Sequence, residues 1–451
     1  MGIRGSKAEV ELSEDVSDGE GLPDGQPVSD GEDAGRRPGR GWRAVGWLLV
    51  IAVVVGGALF VVESRRDAAA AEHEALIASQ DGGIFPLSDG LTELWRTPEG
   101  HLYAGTGPGM VLVERADELV ALDAQTGAEL WSAAAAEEHS YCETPAGATD
   151  VLACRADSKV RWLDPATGSL LAERDVSGYE AASAWRDGLV LVSDHGTTVQ
   201  LFVEGQDRGV RWDVTALDRP LAEGEGVALA VGAESALAVV ADRVVAVDAA
   251  GEVLADLPAP VDEEAAVGPA PIVTPWITSR GAFTVQGFDG SEQRTLVLDA
   301  AGEVRVDEPA GTWLFSFDDG SLGNITAVSG WDGTQVRDLE DGSTLATFPS
   351  APLFVVDGAV VRMAQGRLAS FDVESGTERW AVDIGFGYPI GTDGEVVLVV
   401  GAPGLTSTLR AIDLDTGGER WAFELPDPES SPVAISGMLL EINGESVIRL
   451  G

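Results

Sequence analysis

The sequence predicts an all-β chain built from repeated four-stranded sheets and preceded by one transmembrane helix. Three observations support this prediction: a turn motif that recurs about every 40 residues, alternating apolar residues before each copy, and one long uncharged segment near the N-terminus. Short strands repeating at this period are typical of β-propeller blades. We therefore expect residues 91–451 to form a β-propeller.

Residues 1–40 are predicted to be a disordered, acidic cytoplasmic tail. Residues 1–33 contain ten acidic side chains against Arg4 and Lys7. Such a segment cannot bury enough apolar surface to fold. The pentapeptide VSDGE occurs twice, which makes Ser17 and Ser29 candidates for phosphorylation. The simpler interpretation, which we favour, is a solvated tail with a short duplication.

A transmembrane helix is predicted within residues 43–63. Residues 44–62 contain no charge, and a helix of that length spans about 28 Å, close to the bilayer hydrocarbon thickness. An uncleaved anchor is favoured over signal cleavage in Ala68–Ala71, because the apolar segment is long and starts far from the N-terminus. Four arginines precede the helix and two follow it. The positive-inside bias therefore predicts a single-pass protein of the cytoplasmic membrane, with a cytoplasmic N-terminus and an extracytoplasmic propeller.

Residues 64–90 are expected to form a stalk or linker, since strong helix formers are followed by a glycine-containing turn. Beyond it, eight internal copies of the turn motif define the repeat. Their glycines lie at 127, 168, 209, 251, 302, 342, 376 and 417, so the spacings are 41, 41, 42, 51, 40, 34 and 41 residues. The best-defined motif positions are Asp123, Gly127, Trp131, Asp164, Gly168, Asp248, Asp299, Asp372, Gly376, Trp380, Asp413, Gly417 and Trp421.

Each residue type in the motif has a structural role. The Asp side chain accepts hydrogen bonds from the amides that open the turn. The Gly adopts the positive φ that a tight hairpin requires. The Trp provides a large flat surface that fills the gap between neighbouring blades. These residues are therefore predicted to be structural.

The two ends of the repeat region are expected to share one blade. Leu91–Thr97 resembles an outermost strand without its own sheet, and Val433–Ile435, Met438–Ile442 and Ser446–Leu450 resemble three inner strands without a fourth. Joining them closes the ring and removes exposed edges. Counting units gives nine, but propellers typically have up to about eight blades. We expect eight blades within a range of seven to nine, with one irregular unit at residues 260–345 that does not form a full blade.

The strong copies fit the pattern A-x-D-x-x-T-G-x-x-x-W at Ala121–Trp131 and Ala411–Trp421. This pattern resembles the tryptophan-docking signature of the PQQ-like repeat β-propeller family. The resemblance implies the fold but not the chemistry, because the family includes quinoprotein dehydrogenases as well as non-enzymatic scaffolds such as the β-barrel assembly lipoprotein. A WD40 repeat is disfavoured because its Gly-His and Trp-Asp marks are missing. Without a lipid-attachment cysteine, the β-barrel assembly role is not implied.

The resemblance also defines what a quinoprotein enzyme would need. Such an enzyme is expected to hold its quinone between a Trp and a disulfide of adjacent cysteines, with Ca²⁺ ligands nearby. This chain has only Cys142 and Cys154, and it has no CxxCH motif. The two cysteines flank a plausible hairpin turn, where opposed strand residues are close enough for a disulfide. An extracytoplasmic location permits that bond, so a structural disulfide is favoured over two buried thiols or a redox pair.

No catalytic, cofactor-binding or metal-binding residue is assigned, although PQQ and Ca²⁺ are not excluded. His73, His101, His139 and His195 lack metal-ligand spacing. Asp318–Asp319 and Asp413–Asp415 could bind Ca²⁺, but Asp in such turns usually serves the backbone. The net charge from residue 63 onward is −42, which disfavours nucleic acid as a partner.

The leading functional hypothesis is a non-enzymatic, membrane-anchored propeller that binds an envelope protein or ligand. One alternative is a PQQ-dependent, dehydrogenase-like enzyme, and another is a transmembrane sensor whose tail reports occupancy. The longest interval between turn glycines contains Pro269–Trp276. We expect this segment to be a loop insertion and a candidate binding element, because irregular insertions of propellers collect on their loops.

Overall fold

The computed structural model describes residue 77 and residues 82–451. The exceptions are residues 88–89, 98–99, 103–108, 117, 135–140, 149, 157, 206–208, 223–224, 261–271, 279, 289–292, 314, 331, 402–407, 426–429 and 444–445. The predicted tail, the predicted transmembrane helix and most of the predicted stalk therefore lie outside the described residues. Within the described part, no helix has the length and apolar character needed to cross a membrane.

The described strands form nine sheets, numbered here as blades 1 to 9 along the chain. The chain enters through β1 (Glu93–Arg96) and then builds blade 1 from β2 (His101–Leu102), β3 (Met110–Arg115), β4 (Glu118–Asp123) and β5 (Glu129–Ala134). Blade 2 contains β6 (Tyr141–Glu143), β7 (Leu152–Ala156), β8 (Lys159–Leu163) and β9 (Leu170–Asp175). Blade 3 contains β10 (Ala181–Trp185), β11 (Gly188–Asp194), β12 (Val199–Gly205) and β13 (Val210–Leu217).

Blades 4 to 6 follow the same antiparallel plan. Blade 4 contains β14 (Val227–Val231), β15 (Ser235–Val240), β16 (Arg243–Asp248) and β17 (Val253–Pro258). Blade 5 contains β18 (Ile272–Ile277), β19 (Phe283–Phe288), β20 (Gln293–Leu298) and β21 (Val304–Glu308). Blade 6 contains β22 (Gly311–Trp313), β24 (Ile325–Gly330), β25 (Gly333–Asp338) and β26 (Thr344–Phe348), while the short β23 (Phe317–Asp318) joins the next sheet.

Blades 7 to 9 complete the fold. Blade 7 contains β27 (Pro352–Val356), β28 (Ala359–Ala364), β29 (Arg367–Asp372) and β30 (Glu378–Asp383), with β23 added in parallel beside β27. Blade 8 contains β31 (Tyr388–Thr392), β32 (Val396–Gly401), β33 (Thr408–Asp413) and β34 (Glu419–Glu424). Blade 9 contains β35 (Ser431–Ile435), β36 (Met438–Ile442) and β37 (Val447–Leu450), and β1 is its fourth strand.

The all-β propeller is confirmed, but the expected count of eight blades is wrong because the structure has nine. Residues 260–345, expected to contain an irregular unit, contribute to two complete sheets, blades 5 and 6. The 51-residue interval in the turn glycines reflects a long connection between β17 and β18, and the 34-residue interval reflects a connection of only three residues between β26 and β27. Uneven connections, not a missing blade, cause the irregular spacing.

The composite blade predicted from the chain ends is confirmed. β1 pairs antiparallel with β37, and the sheet order is β1-β37-β36-β35. Thr92 and Gly451 extend this pairing through two backbone hydrogen bonds, of 3.0 Å from the Thr92 amide and 3.1 Å from the Gly451 amide. Gly451 and the start of β1 therefore lie where the other blades have their turn between third and fourth strands.

The hydrophobic core is divided among the gaps between blades. Alternating side chains of each sheet point to its two neighbours, so one apolar cluster fills each of several gaps. In the gap between blades 1 and 2, for example, Leu112 and Trp131 pack with Leu152 and Leu163. Because the core lies between the blades, the motif residues that join one blade to the next contribute to stability.

Two segments cross between blades on the face that carries the turns between first and second strands. Gly83 forms a parallel bridge with Thr392 of blade 8, and Ile84 forms one with Gly437 of blade 9. β23 reaches from blade 6 to the edge of β27, where the Ser316 amide donates to the Leu353 carbonyl at 2.8 Å. These crossings satisfy backbone groups at inner-strand edges.

Candidate functional site

The motif tryptophans hydrogen-bond across blade junctions. Each described donor is an indole Nε1 on a fourth strand, and each acceptor is the carbonyl that follows the turn Asp of the next blade. The pairs are Trp95 to Ala124 at 3.0 Å, Trp131 to Pro165 at 2.8 Å, Trp212 to Ala249 at 3.2 Å and Trp380 to Leu414 at 2.5 Å. The Trp therefore joins adjacent blades by a polar contact as well as by packing.

The turn glycine receives the face of that indole. Gly168 has a φ of +67°, and a Cβ placed on it would lie 2.5 Å from Cε3 of Trp131. Gly127, Gly251 and Gly417 meet Trp95, Trp212 and Trp380 in the same way. Glycine is thus required at these positions both for the left-handed backbone and for the close approach of the ring. Gly376 also has a positive φ, +65°, but a Cβ there would meet nothing within 4 Å.

The junctions around blades 5 to 7 use smaller side chains. The positions equivalent to Trp131 hold Ala255, Val306 and Ala346 in blades 4, 5 and 6, as the strand registers show. In blade 2 the large and the small side chain have changed places. Trp162 is on the third strand, and the residue opposite it on the fourth strand is Ala172. Trp421 packs in the gap between blades 8 and 9 against an apolar cluster that includes Leu91 and Leu450. The motif copies with turn glycines at 251, 302 and 342 therefore belong to blades that have no indole at this position.

The turn aspartates bind backbone amides of their own turns. Oδ1 of Asp123 accepts hydrogen bonds from the Thr126 amide and hydroxyl, each at 2.7 Å. Similar bonds from backbone amides reach Asp164, Asp248, Asp299, Asp372 and Asp413. In the longer turns a Ser or Thr hydroxyl also donates, as in the contact of 2.8 Å from Thr416 to Asp413. These carboxylates are committed to turn structure.

The same contacts hold several of these carboxylates in the ionised form. The hydrogen bond from Arg379, together with those from Ser375, lowers the pKa of Asp372 to about 2. The hydrogen bonds from Thr126 lower the pKa of Asp123. Burial opposes the effect at Asp413, but bonds from Thr416 and Arg420 still lower its pKa. Carboxylates with depressed pKa values are poorly suited to serve as general acids near neutral pH.

Asp318 and Asp319, a candidate Ca²⁺ pair, lie in the crossing between blades 6 and 7. Oδ1 of Asp318 accepts from the Gly320 amide at 2.8 Å, and Oδ2 of Asp319 accepts from the Asp357 amide at 2.7 Å. Burial raises the pKa of Asp318 despite the Gly320 hydrogen bond and the nearby Arg280. In the part of the chain that the structure describes, no group of three His, Cys, Asp or Glu side chains is arranged to hold a metal ion.

Cys142 and Cys154 form a disulfide in blade 2. They lie directly opposite each other on β6 and β7, with an S–S distance of 2.06 Å and a Cα–Cα distance of 4.0 Å. Both side chains are buried in the gap between blades 1 and 2. The bond joins the innermost strand to its neighbour within one blade.

A quinone site of the dehydrogenase type does not fit these residues. That site needs a disulfide of adjacent cysteines to cover the cofactor, whereas the two cysteines of this chain are twelve positions apart and bridge two strands. The disulfide also lies in the wall between two blades rather than on an exposed loop. Among the residues that the structure describes, these two cysteines therefore do not form a cradle of that kind.

A cavity of about 260 Å³ lies between blades 1 and 2. Its walls include Leu119 and Ala133 of blade 1 and Cys142, Cys154, Leu163 and Leu170 of blade 2. Leu170 is 56% exposed, so the cavity opens near the outer strands. Sequence reasoning missed this feature.

The cavity follows from one small residue in blade 1. Ala133 stands opposite Leu119 two positions after Trp131 on the fourth strand. The equivalent position holds a larger side chain in each other blade: Arg174, Val214, Leu257, Glu308, Phe348, Val382, Phe423 and Thr97. Aligning the repeats with one another, beyond their turns, would have revealed this exception.

Most of the segment expected to be a loop insertion is a strand. Residues 272–276, the last five of Pro269–Trp276, belong to β18 (Ile272–Ile277), the innermost strand of blade 5. The run Ile272–Ile277 is apolar at most positions, and it pairs with β19 along its whole length. Residues 269–271 lie outside the described residues.

Many arginines in the described part of the chain form ion pairs on the sheet surfaces. In five blades an Arg of the third strand pairs with an acid of the fourth. The pairs are Arg161–Glu173, Arg243–Asp256, Arg294–Asp307, Arg367–Glu378 and Arg410–Glu419. Such exposed pairs add little stability. They do neutralise much of the positive charge, so the large carboxylate excess is left to solvent and partners.

Comparisons with known proteins agree on the repeat architecture. A family model described as "Outer membrane protein assembly factor BamB" matches residues 87–266 and 364–450. No curated protein matches the sequence. Among solved structures, BamB from Moraxella catarrhalis is 14% identical with a TM-score of 0.42, over 80% of this chain and 97% of that one.

Two further solved structures are similar to the same degree. A eukaryotic initiation factor is 12% identical with a TM-score of 0.49, over 77% of this chain and 91% of that one. The quinohemoprotein alcohol dehydrogenase from Comamonas testosteroni is 12% identical with a TM-score of 0.41, over 83% of this chain and 79% of that one. Likenesses this distant carry no functional argument. Since the family model spans more than half of the sequence, the chain belongs to the PQQ-like repeat β-propeller family of the outer membrane protein assembly factor BamB.

Proposed function

We propose that this protein is a membrane-anchored scaffold whose propeller binds a partner protein on the extracytoplasmic side of the cytoplasmic membrane. The proposal depends on one observation: the Asp and Trp residues of the repeat motif have structural roles. The described turn aspartates bond to backbone in their own turns, and four junction tryptophans bond to the backbone of the next blade. The motif therefore builds a rigid platform. Membership of the BamB family supports an interaction role.

The partner is expected to be a protein with a basic contact surface. The chain carries 75 acidic residues against 29 basic ones, and many of its arginines are already paired within blades. A surface with this balance attracts basic segments and repels nucleic acid. We therefore expect association with this partner to depend on salt concentration, because charges at the rim of an interface mainly affect the rate of encounter.

Membrane anchoring rests on the sequence of residues 44–62. The uncharged run is long enough to span a bilayer, and the arginine excess before it favours a cytoplasmic N-terminus. Alkaline phosphatase fused after Gly451 should be active in intact cells, whereas a fluorescent protein that matures only in the cytoplasm should be dark at the same position. The reverse pattern would contradict the proposed orientation.

We propose no catalytic role for the propeller. The dehydrogenase-type quinone cradle does not fit the two cysteines, and the turn carboxylates serve the backbone. Purified full-length protein in detergent should show no shift in melting temperature with PQQ and Ca²⁺ together, and no alcohol-dependent reduction of a dye. A PQQ-dependent rise in melting temperature would favour the enzyme hypothesis instead.

The scaffold role is tested by proximity labelling from the C-terminus of the full-length protein in its own cells. The expected result is a small, reproducible set of envelope proteins. A matched strain carrying the anchor fused to an unrelated folded domain defines the background. Equal labelling in both strains would contradict the proposal.

A further inference from the structure

The outer edge of blade 1 is unusual among the blades. Within the described residues β5 pairs only with β4, so its other edge faces outward. After Glu129, β5 reads Leu130, Trp131, Ser132, Ala133 and Ala134, without a charge or a proline. Exposed edges are normally protected by such residues, since unpaired backbone groups recruit other strands. Seven other fourth strands carry a charge beyond their first residue.

Blade 6 provides the one comparison strand. β26 is also uncharged from Thr344 to Phe348, but Pro349 follows it directly. Its position equivalent to Ala133 holds Phe348, which is buried and packs in the gap toward blade 7. β5 alone therefore combines an uncharged edge with an open gap behind it.

The gap behind β5 has the shape and chemistry for an apolar side chain. Its volume of about 260 Å³ is bounded by Leu119, Ala133, Leu163 and Leu170 and by the buried disulfide. The charged Arg161 in its wall is already bonded to Glu173 at 2.7 Å. A strand added beside β5 would direct alternate side chains toward blade 2, where the cavity opens.

Charge sets the chemistry of the strand's flanks. Glu129 begins β5 and stays half exposed in a 3.4 Å ion pair with Arg115, and Glu118, which is exposed, stands opposite Ala134 at the other end of the strand. Carboxylates at both ends of the edge favour an added strand whose own ends are basic. The overall negative charge of the chain acts in the same direction.

We infer that β5 is a docking edge for an extended segment of a partner protein, which adds as a fifth strand of blade 1. The segment has basic residues at its ends and an apolar side chain that enters the cavity beside Ala133. This inference rests on the proposed scaffold function, since it states where the partner binds and what it presents. Backbone hydrogen bonds to β5 supply affinity, and the cavity supplies selectivity.

Site-specific photocrosslinking in cells tests the location. The full-length protein carries p-benzoylphenylalanine in place of Ser132, which is exposed in the middle of β5, or in place of Thr347 on β26 as the matched control. The expected result is a discrete adduct from position 132 and none from position 347. Mass spectrometry of the adduct should identify a partner segment with alternating apolar residues and basic ends.

Three variants then test the mechanism with a synthetic peptide of that crosslinked segment. Ala133→Leu fills the cavity, Ser132→Lys places a charge on the edge, and Thr347→Lys places the same charge on the control edge. Peptide affinity for the full-length protein should fall at least tenfold in the first two variants and less than twofold in the third. Because Ala133→Leu fills empty space, its melting temperature should not fall, which separates lost binding from lost folding.

The remaining outcomes each count against the inference. An adduct between two copies of this chain would make β5 a self-association edge, and an adduct to residues 64–76 of the same chain would make it an internal contact. Unchanged peptide affinity in Ala133→Leu would exclude the cavity. If partners are crosslinked from other positions but not from 132, the inference that β5 is a docking edge is wrong, whereas the proposed scaffold function is unaffected. A complete absence of specific partners would remove both.

Discussion

The ring of Trp131 lies against the backbone of Gly168 in the next blade, and its indole nitrogen donates to the carbonyl of Pro165, which directly follows the turn Asp of the same turn. The Trp131 side chain thus both packs against the turn of the next blade and donates a hydrogen bond to it. The same pairing recurs where Trp95 meets Gly127 and where Trp380 meets Gly417. We therefore expect substitutions at the junctions between blades to destabilise the fold more than substitutions within a single sheet.

Gly168→Ala should destabilise the propeller more than Gly376→Ala. Both glycines have left-handed backbone, which costs an L-residue about 1–2 kcal/mol. The new methyl at position 168 would also collide with Trp131, whereas the one at 376 would meet open space. Urea unfolding of both variants measures the difference. Equal losses would mean that the indole contact is unimportant.

Trp131→Phe should cost more stability than Trp95→Phe. The part-buried Pro165 carbonyl would lose its indole donor, and an acceptor left without a partner costs up to about 1–3 kcal/mol. The Ala124 carbonyl, by contrast, also accepts from Arg449, so the loss at Trp95 should stay near 0.5–1.5 kcal/mol. The measurement is chemical unfolding, with Trp95→Phe/Arg449→Met as the double variant. That variant should lose more than the sum of the single changes.

Removing the disulfide should lower the free energy of unfolding by about 2–4 kcal/mol. Cys142 and Cys154 close a loop with a sequence separation of 12 residues, and cross-linking restricts the unfolded chain. The comparison is wild type against Cys142→Ala/Cys154→Ala, each with and without reductant. Reductant should weaken only the wild type. The unreduced wild type should also show no alkylatable thiol by intact mass, and two alkylated thiols would contradict the bond.

Ala133→Leu should raise stability by about 0.5–2 kcal/mol, as cavity-filling changes commonly do. The added side chain enters the space of about 260 Å³ between blades 1 and 2. Ala121→Leu is the matched control, because Ala121 is fully buried and directly opposite Trp131. Overpacking there should cost about 1–3 kcal/mol. Calorimetric melting temperatures of the two variants should therefore move in opposite directions.

Asp372→Asn should remove a pH-dependent contribution to stability. The folded-state pKa of about 2 lies below the ordinary value of 3.8, so the ionised group stabilises the fold above about pH 4. That contribution should fade as the pH drops from about 4 to about 2, where wild type and variant should converge. Urea unfolding across pH 2–7 tests this. Glu374→Gln, a neutralising change in the same turn, controls for net charge.

Periodicity made the architecture readable from the sequence. Alternating apolar residues and recurring Asp and Gly predicted the sheets and their turns, and the paired ends predicted the composite blade of β1 with β37. These signals are local, since each depends on residues within one hairpin. The family resemblance, based on Trp131 and Trp421 in particular, was confirmed by the matching family model.

Features that depend on contacts between neighbouring blades were not predicted from the sequence. The nine units counted from the sequence were reduced to eight because propellers typically have up to about eight blades, and the long connection between β17 and β18 made residues 260–345 look irregular. The strand at Ile272–Ile277 was assigned to a loop for the same reason. The cavity at Ala133 depends on what blade 2 places opposite a small residue, which no single repeat reveals.

Closing the ring with β1 makes the order of synthesis matter. β1 is translated more than 350 residues before its partner β37, so it must wait while the other eight blades form. A nascent chain that stops before Val447 leaves this early strand without its mate and the circle open. The ring therefore closes only after β37 has been synthesised, and products that stop before it carry an exposed strand that quality-control proteases can recognise.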